Sequence, residues 1–183
     1  MTRHIRLSAT LLIALAGASP ASAGPEDFKT GPVIEAFGPV APMQEGWSLP
    51  TNTALRVSFD AAKAAEPGAL NRTLESGARF INMHAAAGVD PKNINLAIVV
   101  HGGAAFDLLA PEAYAKTNDG AVNASAALVK ALQDNGVRII LCGQTAAYRD
   151  MSSEDLLPDV EVALSAMTAH AQLQADGYTI NPF

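Results

Sequence analysis

One cysteine, Cys142, stands in a chain of 183 residues, so no disulfide can close within a single copy of this protein. The fold must therefore be held by its core, and the odd thiol is flagged for intermolecular pairing or reactivity. Lysines and arginines number 12 against 18 acidic residues, and they form no clusters. An acidic chain without grouped cations is a poor partner for nucleic acid, whose phosphates need them. Several signatures are also missing. No C-x-x-C or H-x-x-x-H spacing marks a metal site, and no G-x-S-x-G elbow or G-x-x-x-x-G-K loop marks a hydrolase or a kinase. Nor is there a dehydrogenase motif, so the sequence points to no resident cofactor and no metal.

What is present begins with an export signal. "MTRHIRLSATLLIALAGASPASAG" has Arg3 and Arg6 as a positive n-region, Leu7 to Gly17 as an apolar h-region, and Ala21-Ser22-Ala23 as an A-x-A cleavage site. The apolar stretch is too short to anchor in a bilayer about 30 Å thick. We expect cleavage after Ala23, a periplasmic or secreted product, and no membrane span after cleavage. Removing residues 1–23 leaves 160 (183 minus 23) and takes the net charge from −6 to −8, because two arginines and no acids are lost. That length suits one domain with a sizeable core.

Residues 24–52 carry prolines at 25, 32, 39, 42 and 50, which fix φ and remove amide donors, so no regular period survives. Val33, Ile34, Phe37, Val40, Met43 and Trp47 make this an apolar arm that must lie against the domain or a neighbouring subunit. From residue 53 to 183 the pattern alternates. Strands are expected at 53–61, 94–103 and 137–143 and in the closing "YTINPF". Helices are expected at 71–88 and 123–136, and 104–117 reads as a short helix or ordered loop. Residues 152–177 read as a helix pair, or one helix reset at Pro158, with an inner stripe of Val160, Leu164, Met167 and Ala171. Strands alternating with helices imply βαβ units. The expected fold is α/β, a three-layer α/β/α sandwich with a mostly parallel sheet of four or five strands.

Ligands of open parallel sheets bind beyond the carboxyl ends of the strands. "AIVVHGG" and "RIILCGQ" each run from an apolar stretch to one reactive side chain and then to glycine, which puts His101 and Cys142 at equal depth on one edge. Adjacent strands would set their backbones about 5 Å apart, and one intervening strand about twice that; either spacing lets both groups line one cleft. A thiolate is favoured by a helix N-terminus or a neighbouring cation. Gly102, Gly103 and Gly143 permit close approach of a ligand or of another backbone, while Gln144 and Asn123 offer neutral hydrogen bonds. Equally, free cysteine is often a small buried hydrophobe. His84 and His170 lie on expected helices and read as packing or surface residues. Asn71 and Asn123 each begin an expected helix, where asparagine serves as an N-cap.

Taken in order, "NRTLESGARFINMHAAAG", "AIVVHGGAAFDLL", "NASAALVKALQDNGVRIILCGQTAAY" and "DLLPDVEVALSAMTAHAQLQADGYTINPF" resemble the DsrE/DsrF-like family in its exported branch. The resemblance covers roughly residues 53–183, and the proline-rich arm is similar to that branch too. It implies an α/β sandwich that assembles into homo-oligomers, trimers or hexamers. It also implies that Cys142, the position matching the relay cysteine, carries sulfane sulfur as a persulfide between a donor and an acceptor protein; the equal placement of His101 adds the expectation that it orients or handles protons there. The alternative is a non-catalytic oligomeric module that binds a small ligand or a metal and whose cysteine is structural.

Overall fold

A computed structural model describes residues 24–42, 48–50 and 52–182. The expected signal peptide, 1–23, and the arm residues Met43 and Trp47 lie outside the described residues. Five strands form one sheet: β1 (Leu55–Ala61), β2 (Ile94–Val100), β3 (Arg138–Cys142), β4 (Glu161–Ala163) and β5 (Thr179–Asn181). Their order is β4-β3-β2-β1-β5, and every neighbouring pair is parallel. The helices are α1 (Arg72–Ala86), α2 (Pro111–Thr117), α3 (Ser125–Asp134), α4 (Gly143–Tyr148) and α5 (Ala166–Ala175), with a 3-10 segment over Gly102–Leu108. None among the described residues is long and apolar enough to cross a membrane.

The alternation of side chains along each strand divides the sheet into two unequal faces. On one face Phe59, Leu96, Ile98, Ile139 and Leu141 pack with Leu74, Ala78 and Ile81 of α1 and Leu128 and Leu132 of α3. On the other, Ala97, Val99 and Ile140 meet Ala169 and Leu173 of α5, with Ala163, Ala166 and Tyr178 packed around them. The three layers expected from the sequence are present, and the sheet is wholly parallel.

Helix boundaries follow local chemistry. The Asn71 side chain accepts hydrogen bonds from the amides of Thr73 and Leu74, as an N-cap should. The Asn123 side-chain Oδ1 accepts from Ser125 N, so the turn into α3 is set two residues before the helix starts. Residues 33–38 of the proline-rich arm lie on the domain of the same chain. Ile34 is 2% exposed and joins the main core. Asn82, wholly buried on α1, accepts from the amides of Val33 and Ile34 and donates to the carbonyls of Ile34, Phe37 and Gly38.

One expected element is corrected. Residues 152–177 are not a helix pair. A 3-10 turn at Ser153–Asp155 leads past Pro158 to Asp159, whose φ of 58° turns the chain into the three-residue edge strand β4; only then does α5 begin. The proposed inner stripe dissolves accordingly. Val160 packs partly on the main core, but Leu164 and Met167 are 72% and 80% exposed, Ala171 is exposed, and the residues that seat α5 are Ala169 and Leu173. The physical reason is that β4 pairs with β3 and is pinned by the Arg138–Glu161 double hydrogen bond (2.9 and 2.7 Å).

Candidate functional site

Strand register assembles the site. Ala61 pairs with Val100, and Val100 with Leu141. Asp60, the penultimate residue of β1, therefore lies two residues short of the depth at which His101 follows β2 and Cys142 ends β3. All three side chains alternate onto the face that carries α5. Cys142 also pairs with Ala163 of β4, so three residues later the chain delivers the first amide of α5, that of Ala166, beside the sulfur. Asp60, His101, Cys142, Gln144, Thr145, Ser165, Ala166, Met167 and His170 line one cleft of about 270 Å³.

Cys142 is 6% exposed and is the N-cap residue of α4, where Ser, Thr or Asp would ordinarily place an oxygen. Burial pushes the thiol's pKa up. The Thr145 hydroxyl and the amides of Thr145, Ala166 and Gln144 outweigh it and hold the thiol below its ordinary value. The resting sulfur makes no full cap hydrogen bond to α4, so these donors exert their effect on the charged thiolate. Thr145 is itself oriented, because its Oγ1 accepts from Gly102 N at 3.3 Å.

Beside the sulfur lies a carboxylate held by two imidazoles. His170 Nε2 is 2.8 Å from Asp60 Oδ1, and His101 Nε2 is 3.1 and 3.2 Å from the two Asp60 oxygens. The far nitrogen of His170, Nδ1, is 3.2 Å from Ser58 Oγ. Burial raises the Asp60 carboxyl, but the hydrogen bonds from His170 and His101 and their charge when protonated prevail and keep it below the usual carboxylate value. Among the described residues no group of three or more His, Cys, Asp and Glu has metal-holding geometry.

The residues singled out from sequence divide into three groups. His101, Cys142 and Gln144 share the cleft. The glycines support it from behind. A β-carbon on Gly143 would meet Ala163 O at 2.5 Å, and one on Gly102, whose φ is 56°, would meet Ala62 O at 3.1 Å; Gly103 abuts Ala64 N at 3.3 Å. What comes close to these glycines is the chain's own backbone. Asn123 stands apart from the cleft, with its amide nitrogen on the carbonyls of Asp107 and Leu109 (3.0 and 2.8 Å), where it closes a buried loop. His84 packs against the Phe80 ring (4.1 Å between centroids), as a packing residue does.

Sequence reasoning missed Asp60, Ser58, Thr145, Ser165, Ala166, Met167 and His170. Asp60 carried a usable signal, since it stands near the end of an expected strand. His170, read as packing or surface, instead reaches across the sheet from α5, which no spacing announced.

The sequence profile of the DsrE/DsrF-like family matches residues 50–182. No curated protein matches the chain significantly. Among solved structures it is similar to MTH1491, a protein of unknown function from Methanobacterium thermoautotrophicum, with 22% identity and a TM-score of 0.53, over 70% of this chain and 99% of that one. It is also similar to the ychN protein from E. coli, with 18% identity and a TM-score of 0.51, again over 70% and 99%. At these identities the likeness concerns the fold alone.

Proposed function

We infer function from one premise: this chain belongs to the DsrE/DsrF-like family, which is generally associated with sulfur relay. We propose that it is an exported, homo-oligomeric sulfur carrier that holds sulfane sulfur as a persulfide on Cys142 between a donor and an acceptor protein. The observation that carries this reading is the environment of the sulfur. Donors from the starts of α4 and α5 and from Thr145 favour the thiolate in a cleft large enough for a small sulfur compound, and the thiolate is the form that attacks sulfur. Export is supported by the three-part N-terminal signal. Assembly is supported by the short edge strand β4 and the exposed Val162, Leu164 and Met167 beside it, a face of the kind that oligomers cover.

The test is to treat the purified mature protein with a sulfane-sulfur donor and weigh it intact beside Cys142→Ser. The wild type should gain the mass of one sulfur atom and the variant none. A wild type that gains nothing overturns the carrier reading. One observation favours the alternative of a non-catalytic binding module: Cys142 is only 6% exposed. In that case native alkylation is slow at every pH and becomes fast only on unfolding.

A further inference from the structure

Four polar side chains run in a hydrogen-bonded line from the sheet to the cleft: Ser58, His170, Asp60 and His101. Exposure rises along it. Ser58 is wholly buried, and the side chains of His170, Asp60 and His101 are 15%, 31% and 32% exposed. His170 has both ring nitrogens engaged and is fixed. His101 has one, because its Nδ1 has no hydrogen-bond partner among the described residues. With Nε2 facing a carboxylate, the His101 proton belongs on Nε2. Its Nδ1 is then a base in the neutral ring and an acid in the imidazolium.

A nucleophile, an imidazole and an orienting carboxylate in one cleft are the parts of a triad. Here the nucleophile has its own support, since Thr145 and the amides of α4 and α5 favour the thiolate and no hydrogen bond joins His101 to the sulfur. The imidazole is left for the other reacting partner. Resting on the sulfur-carrier reading of Cys142, we propose that His101 is the general acid that protonates the thiolate leaving the sulfur donor, and that Asp60 and His170 are the positioning residues that hold it.

For an alkyl persulfide donor, R–S–SH, the step balances as follows. The Cys142 thiolate attacks the outer sulfur, a Cys142 S–S bond forms, and the donor's own S–S bond breaks with its electron pair leaving on R–S⁻. The His101 imidazolium gives its Nδ1 proton to that thiolate, yielding R–SH, the Cys142 persulfide and neutral imidazole. One negative and one positive charge are consumed together, and no outside oxidant or reductant is needed. The Asp60 carboxylate in the same cleft disfavours a doubly charged donor such as thiosulfate by like-charge repulsion.

The experiment uses three probes that differ in how much their leaving group needs a proton: iodoacetamide, 2,2′-dipyridyl disulfide and bis(2-hydroxyethyl) disulfide. Rate constants with Cys142 are measured at neutral pH for the wild type, His101→Gln and Asp60→Asn. A positioned acid contributes most where the leaving group is a poor one. His101→Gln should therefore slow the hydroxyethyl disulfide about tenfold or more while the other two change by less than about twofold. Asp60→Asn should show the same selective loss in weaker form, a pattern that a merely structural role would not produce. Equal slowing of all three probes, no slowing of the alkyl disulfide, or a wild type inert to both disulfides would each overturn the proposal. These probes contain no persulfide, so the outcome is separate from the mass measurement that tests the carrier reading.

Discussion

Thr145→Val replaces a hydroxyl by a methyl of nearly the same shape and removes one of the four donors that favour the Cys142 thiolate. Because Thr145 Oγ1 accepts from Gly102 N, its own proton is free to face the sulfur, and valine has none to offer. A hydrogen bond to a charged group contributes about 1.5–3 kcal/mol. The resting sulfur lacks full cap geometry, so the lower end applies, about a tenfold fall in the ionisation constant. A more basic thiolate is also the better nucleophile, with a Brønsted slope near 0.4–0.5, which returns about threefold in rate.

The two effects separate in a profile of alkylation rate against pH. On the acid limb, Thr145→Val should react about threefold more slowly than wild type, because tenfold fewer thiolates are offset by about threefold greater reactivity. On the alkaline plateau, where both proteins are ionised, it should react about threefold faster. The curves therefore cross, and Thr145→Ser, which keeps the hydroxyl, should track the wild type. Superimposed profiles, or a constant ratio at every pH, would refute the assignment of Thr145 as a donor to the thiolate.

Two further outcomes follow from contacts outside the reacting atoms. Asn82→Ala strips the buried clamp from residues 33–38 and should lower unfolding stability by about 3–5 kcal/mol in urea titration; a loss under about 1 kcal/mol would mean that the arm is not part of the folded core. Gly143→Ala sets a methyl 2.5 Å from Ala163 O, which must push β4 and the start of α5 away from Cys142. It should cost about 1–3 kcal/mol and slow alkylation at neutral pH, and an unchanged rate would show that the Ala166 amide does not matter to the thiol.

The part of the site that could be read from sequence is the part built by long buried strands. "INLAIVV" and "RIILC" are apolar on both faces, so their ends were plain, and parallel pairing put His101 and Cys142 together as the strand-end rule requires. Asp60 obeys the same rule one residue before the end of "LRVSFDA". It escaped notice because no glycine follows it and because its neighbour Ser58 breaks the apolar run. The wall formed by Ser165, Ala166, Met167 and His170 was hidden for a different reason. An edge strand of three residues has no period of its own, and the alanine-rich sequence around it imitates a helix. Misplacing the start of α5 by even a few residues turns His170 away from the sheet, so its partnership with Asp60 could not be deduced. Apolar spacing gives the right inner face only where burial selects the side chains, and around α5 it does not: Leu164 and Met167 are left in the open. Yet one of the amides that face the thiol and one of the two imidazoles that hold Asp60 come from this helix. Part of the control of Cys142 therefore rests on an element that contributes nothing to the main core, seated by Ala169, Leu173 and the two hydrogen bonds from His170 to Ser58 and Asp60 of β1. In the proposed mechanism, a donor that enters the cleft and displaces α5 would loosen the thiolate's support and the orientation of His101 together.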